Sequence, residues 1–243
     1  AARRGAGTVL AARRRPELEE LADGLTRTPP ADSGDVPRHH VVPADAGSPD
    51  GVAALVRRAL DAAGRVDALV YAAGVFGLDR PSAGGDLPER SLALNLHGYA
   101  ECAGRLVRHW IRHGVTGSVI GVSSVGASAA LVRHMESYGA AKAAMAHHTR
   151  CLAVTAGRHG IRANHVIPGL IRTPMSDVVS PEFEQCWLSR IPLGRTGRPE
   201  EVAAWTGYLA GDASGYVTGA GIRADGGFGL AGLPPLGPPA RAE

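Results

Sequence analysis

Short apolar runs alternate with longer stretches of helical periodicity along almost the whole chain, and that order constrains the fold more than any other feature. Thr8-Val9-Leu10-Ala11-Ala12 reads as a strand, followed by a helix opened by Pro16. A polar, proline-bearing stretch from Thr26 to Arg38 leads to a second strand, His40-Val41-Val42. From Asp50 to Gly64, Val52, Leu55, Val56, Ala59, Leu60 and Ala63 recur at helical spacing, and a strand over Val66–Val70 follows. The pattern then predicts a long helix over Pro88–His113, a strand over 118–122, a helix over Ser137–Gly157 and a strand over 161–167. A helix over Pro199–Leu209 and a strand over 217–224 complete it. Strands joined by helical crossovers run parallel, so the expected class is α/β, a doubly wound parallel sheet with helices on both faces.

The 243 residues suit one domain, expected over 1–229, with a loose Gly/Pro/Ala-rich tail over 230–243. Apolar content of 44% with 20% charged residues is that of a globular chain, and no run of about 18 apolar residues offers a membrane span. The net charge of +3 comes from scattered arginines without an interleaved aromatic platform, so an anionic cofactor fits it better than nucleic acid. Cys102, Cys151 and Cys186 lie far apart, which suits a reducing cytoplasm. His39-His40 and His147-His148 are adjacent pairs whose side chains diverge, and no acid or thiol cluster stands at ligand spacing. No metal site is expected.

Tyr138 and Lys142 are four residues apart in Ser137-Tyr138-Gly139-Ala140-Ala141-Lys142, which puts a phenol and an ammonium on one helix face. The positive charge is expected to hold down the phenol's pKa and so to fit it for proton exchange near neutrality. Upstream, Gly117 to Ser124 is an apolar strand ending in two hydroxyls, and Asn95 sits inside the otherwise apolar Leu92-Ala93-Leu94-Asn95-Leu96. Each has a plainer reading: Ser124 as a helix cap, Asn95 as a partner for a backbone group, Pro168-Gly169 as an ordinary turn.

In order and approximate spacing, Asn95, Ser124, Tyr138 and Lys142 resemble the catalytic tetrad of the short-chain dehydrogenases/reductases. Asp67-Ala68-Leu69-Val70-Tyr71-Ala72-Ala73-Gly74 is similar to that family's "NNAG" strand end, with Tyr71 and Ala72 in place of two asparagines. Pro168-Gly169-Leu170-Ile171-Arg172-Thr173 is similar to its "PG…T" segment. Pro192-Leu193-Gly194-Arg195, Arg198-Pro199-Glu200-Glu201-Val202, Val217-Thr218-Gly219 and Asp225-Gly226-Gly227 extend the likeness over roughly residues 6 to 229. The resemblance implies a Rossmann-like fold and hydride transfer between a nicotinamide and a carbonyl or secondary alcohol. Tyr138 would be the proton donor, Ser124 a hydrogen-bond donor to the same oxygen, Lys142 a ribose ligand, and Asn95 the holder of a relay water. Pro168, Gly169, Ile171 and Thr173 would position the nicotinamide, and Ala72, Ala73 and Gly74 would let the backbone approach it. Asp45, beside Ala46, would reach the adenine, or alternatively cap the helix near Asp50. Ala12-Arg13-Arg14 after the first strand, a small residue followed by arginine, suits the 2′-phosphate of NADP(H) better than the ribose diol of NAD(H).

One departure stands out. A dinucleotide fold begins with a strand and a glycine-rich turn, and neither precedes Thr8, so the sequence is expected to be N-terminally incomplete by roughly 20 residues. The strands at Thr8 and His40 would then be separated from the one at Val66. A cofactor-free binding protein or a non-functional remnant is the alternative. A lyase like the halohydrin dehalogenases is a further one, disfavoured because those carry arginine where Lys142 stands. The substrate pocket is expected between Ala127–Glu136 and Met175–Ile191, with Arg133, His134 and Glu136 either meeting a polar substrate or solvated. Small residues (Ala100, Ala103, Gly104; Ala140, Ala141, Ala144) suggest helix packing between subunits of a homodimer or tetramer.

Overall fold

The computed structural model describes residues 6–27, 37–79, 85–129, 133–176 and 180–230. Strands β1 (Thr8–Leu10), β2 (His39–Val41), β3 (Ala68–Tyr71), β4 (Gly117–Val122), β5 (Ile161–Pro168) and β6 (Gly221–Ala224) alternate with helices. The helices are α1 (Arg15–Arg27), α2 (Pro49–Ala63), α3 (Leu87–Leu92), α4 (Gly98–His113), α5 (Glu136–Ala156), α6 (Pro181–Leu188) and α7 (Pro199–Ala210). Every ladder between these strands is parallel: β3-β4-β5-β6 form one sheet and β1-β2 a second. The doubly wound α/β architecture is present, and it is divided where the sequence anticipated a separation. Among the described residues no strand pairs with both β1 and β3, and Val70 of β3 is 43% exposed.

Local chemistry sets the element ends. Ser48 caps α2 by accepting the Gly51 amide at 3.1 Å, with Pro49 in the first turn, and Gly64 closes the helix at φ 69°. Ser48 therefore does the capping that Asp45 might have done. Three expectations need correction. The single helix over Pro88–His113 is interrupted by a five-residue π turn, Ala93–His97, between α3 and α4. The last strand covers only Gly221–Ala224, because the Asn164 side chain takes up the Val217 carbonyl at 2.8 Å and the Ala220 amide at 3.0 Å in a turn that precedes it. Helix α6, capped by Ser180, lies within Met175–Ile191, where the sequence pattern predicts no element.

Tyr99, Cys102, Ala103, Leu106, Val107 and Trp110 of α4 are buried with Val52 and Val56 of α2, Val119 of β4 and Met145 of α5. Each large apolar side chain buried there stabilises by about 1.5–3 kcal/mol. The Trp110 indole N–H also finds the Val66 carbonyl at 2.6 Å. Ala103 and Ala141, two of the small residues expected at a subunit interface, are fully buried within the chain itself. Among the described residues no helix is long and apolar enough to cross a membrane. Most of the polar stretch Thr26–Arg38, and the tail beyond Leu230, lie outside the described residues.

Candidate active site

The carboxyl end of β4 delivers two serines with different tasks. Ser123 donates its hydroxyl to the Lys142 carbonyl at 3.1 Å and ties the strand end to α5. The Ser124 Oγ accepts the Gly126 amide at 3.1 Å at the start of a short 3-10 turn, which leaves its own proton available. One turn of α5 separates Tyr138 from Lys142. Lys142 is 4% exposed, donates from Nζ to the Val122 carbonyl at 2.8 Å, and lies 5.8 Å from the centre of the Tyr138 ring. Burial brings its ammonium down from the usual 10.5 to about 8. Burial also pushes the Tyr138 phenol above its ordinary value, partly offset by a hydrogen bond with Ser124. The acidified phenol expected from the Tyr-Lys spacing is thus corrected: burial raises it by more than the contact with Ser124 lowers it.

Asn95 sits in the π turn with no exposed surface. Its Nδ2 donates to the Val75 carbonyl at 2.8 Å and to Ser91 Oγ at 3.0 Å, while Oδ1 accepts the Val75 amide at 3.1 Å. This two-pronged grip fixes the backbone just after β3, and leaves only a lone pair of Oδ1 for a water. Tyr71, where the resemblance leads one to expect asparagine, donates instead to the Leu94 carbonyl at 2.7 Å within the same turn. Gly74 must be glycine: a Cβ there would lie 2.7 Å from Asn95 Oδ1 and 3.5 Å from Lys142 Nζ. Two residues on, the Phe76 ring meets Tyr138 edge to face with centres 5.1 Å apart. Asp79 then accepts the Ser137 amide at 2.7 Å and its hydroxyl at 2.6 Å, and donates its own amide to the His134 carbonyl at 2.7 Å. Segment 74–79 is therefore a strap anchored at both ends, with Phe76 held beside the phenol.

These parts line a cavity of about 680 Å³ at the carboxyl ends of β3, β4 and β5, where open parallel sheets bind ligands. Asn95, Ser124, Tyr138 and Lys142 all line it, as do Ala72, Gly74, Pro168, Gly169, Ile171 and Thr173. Ala73, Arg13, Asp45 and Ala46 do not. Arg13 is exposed. Asp45 accepts the Gly47 amide at 2.9 Å, and the Ala46 carbonyl packs so closely on Gly98 that no side chain fits there. The residues present fit the nicotinamide-ribose end of a dinucleotide. The Lys142 ammonium has three donors, of which the protein takes one, beside a glycine backbone open to close approach. For the pyrophosphate, no glycine-rich turn opens a helix after β1, where the chain reads Ala11-Ala12-Arg13-Arg14.

A family model described as enoyl-(acyl carrier protein) reductase matches residues 1–229. The cis-4-hydroxycyclohexanecarboxylate dehydrogenase of Sinomonas cyclohexanicum is 36% identical over 93% of this chain and 88% of its own length. An L-rhamnose 1-dehydrogenase (NAD(P)(+)) of Sphingomonas sp. (strain SKA58) is 35% identical over 77% of this chain and 74% of its own. A short-chain type dehydrogenase/reductase from Mycobacterium ulcerans superposes with a TM-score of 0.86, at 28% identity, over 97% of this chain and 85% of that one. The chain belongs to the short-chain dehydrogenase/reductase family. It is an oxidoreductase of the kind that acts on alcohols and carbonyls.

Sequence reasoning about this short-chain dehydrogenase/reductase missed Ser91, Phe76 and Asp79. Ser91 lies four residues before Asn95 on a helix, a spacing at which a hydroxyl meets an amide, so a signal existed. Asp79 gave none, since its partner is 58 positions away.

Proposed function

We propose that this chain is an NADP(H)-dependent oxidoreductase that reduces a carbonyl of a small molecule, or oxidises the corresponding secondary alcohol, through Ser124, Tyr138, Lys142 and Asn95. The observation that carries this reading is the gathering of Ser124, Tyr138 and the buried Lys142 ammonium in one cavity, where a Cβ on Gly126 would lie 3.4 Å from Ser124 Oγ and 3.6 Å from the Tyr138 ring. The nicotinamide, when bound, supplies a hydride to the carbonyl carbon or removes one from the carbinol carbon. Tyr138 gives its phenolic proton to the carbonyl oxygen, and Ser124 donates a hydrogen bond to that oxygen as charge develops on it. In the oxidative direction the carbinol proton passes to the phenolate. Lys142 stabilises the phenolate and offers its remaining donors to the ribose hydroxyls. Asn95 fixes the Val75 backbone and, through Oδ1, orients a water. Pro168, Gly169, Ile171 and Thr173 would hold the nicotinamide, and the Ala72-Ala73-Gly74 backbone would allow its close approach.

Preference for NADP(H) is supported by Ala12 and by Arg13, which is exposed and pairs with no acid among the described residues, whereas Arg14 is engaged by Glu17 at 3.0 Å. Asp45 and Ala46 belong to the adenine end of this proposal. Three free thiols, Cys102, Cys151 and Cys186, suit a cytoplasmic enzyme. A homodimer or tetramer remains the expected assembly, with Ala140 the exposed member of the small-residue set. NADPH fluorescence titration and NADPH consumption over a panel of ketones test the reading. Binding without consumption points to a binding protein, and halide release from a halohydrin to the lyase.

A further inference from the structure

We propose that the site takes an uncharged, apolar ring ketone or its secondary alcohol and rejects sugars and other polyols. This substrate class rests on the oxidoreductase reading above. The apolar lining of the cavity includes Phe76, Met135, Leu170, Met175, Phe183 and Trp187, with Phe76 edge to face with Tyr138. The wall is braced: Trp187 stacks on Phe228 with ring centres 4.8 Å apart and planes 9° apart, and Phe183 leans on Trp187 at 6.0 Å.

The polar groups of the cavity are mostly committed to the protein itself. Both donors of Asn95 are engaged, Ser123 bonds the Lys142 carbonyl, Ser176 the Thr173 carbonyl and Thr206 the Ala203 carbonyl. Among the described residues, setting aside Thr173 and Lys142, assigned above to the nicotinamide and its ribose, the hydroxyls left for a substrate are those of Ser124 and Tyr138. Both stand beside Gly126, where a Cβ would lie 3.4 Å from Ser124 Oγ and 3.6 Å from the Tyr138 ring, so they serve one oxygen. Among the described residues Lys142 is the only charged side chain lining the cavity, and Arg133, His134 and Glu136 do not line it.

Among the described residues the site therefore satisfies a single carbonyl oxygen and surrounds the rest of the substrate with hydrocarbon. Each further hydroxyl carried in without a partner loses about tenfold in kcat/KM, roughly 1.4 kcal/mol, and a carboxylate loses more. Two such hydroxyls set a preference of about a hundredfold.

The test uses the purified chain with NADP+ and with NAD+, comparing 2-decalol with L-rhamnose and D-glucose. In parallel, saturation-transfer NMR without nucleotide compares 2-decalone with L-rhamnose. The expected result is a kcat/KM for decalol at least a hundredfold above either sugar, and saturation of decalone alone. Phe183→Asn is expected to reduce the alcohol-to-sugar ratio at least fivefold and to weaken the decalone signal. A sugar oxidised within a hundredfold of decalol, or no saturation of decalone by the wild-type chain, overturns the proposal. Decalone binding without turnover of any alcohol supports the apolar site and overturns the oxidoreductase reading instead.

Discussion

The carboxylate of Asp79 accepts both the amide and the hydroxyl of Ser137, the residue immediately before Tyr138, across 58 positions of sequence. It thereby fixes the first turn of α5, where a negative charge is favoured by the exposed amides. Asp79→Ala is expected to cost about 2–3 kcal/mol, as hydrogen bonds to a charged acceptor do. Urea denaturation measures that loss, with Asp79→Asn recovering part of it because an amide oxygen still accepts. If the clamp positions Tyr138, kcat falls about tenfold or more with KM little changed.

On the proposed mechanism, Tyr138→Phe removes the proton donor and leaves the ring that Phe76 packs against. Turnover is expected to fall by about 10²–10⁴, the usual contribution of a general acid. NADPH affinity, read by fluorescence titration, should stay within about twofold, since the phenol hydroxyl serves chemistry more than binding.

Lys142 carries a pH signature. Its folded value of about 8 lies below 10.5, so the fold disfavours the ammonium. Below pH 8 the lysine is protonated in both folded and unfolded chains, and the full cost, about 3 kcal/mol, is present. The cost is relieved as pH rises from 8 to 10.5, where the native chain loses its proton first. Lys142→Met removes that cost but strips the Val122 carbonyl of its donor, worth about 1 kcal/mol. The variant is expected to be about 2 kcal/mol more stable at pH 7, with the advantage gone by pH 10.5. Denaturation at the two pH values checks it.

His165 acts in the opposite range. It lies on β5 at 2% exposure, its Nδ1 has no partner, and burial, aided by Arg150, pushes its pKa down to about 4. Between pH 6.5 and 4 the unfolded chain takes up a proton that the folded chain refuses, so stability falls with acid by about 3 kcal/mol in total. His165→Leu should flatten that part of the profile, and thermal melts at pH 7 and 4.5 compare the two slopes.

What the sequence made legible was periodic or local. The i,i+4 spacing of Tyr138 and Lys142 put both in one cavity, and the apolar run into Ser123-Ser124 placed those hydroxyls at a strand end. The split between β1 and β3 followed from strand order. The misses came from tertiary contacts that override local pattern. Burial reversed the expected effect on the Tyr138 phenol, Asn164 shortened the last strand by bonding the turn before it, and nothing local to Asp79 or Ser137 announces their pairing. The interruption at Asn95 was equally silent, because Leu92, Ala93, Leu94 and Leu96 are apolar at nearly every position and show no helical phase for an inserted residue to break.

That interruption limits how the helix can be edited. Its turn holds about one residue more than an α-helical turn, so α3 and α4 are out of phase by about 100°. Deleting any one residue between Leu92 and Gly98 would straighten the rod and swing either Asn95 off Val75 or Tyr99 out of the interior. Changes of length are closed there, and so is substitution at Asn95, whose amide holds Val75.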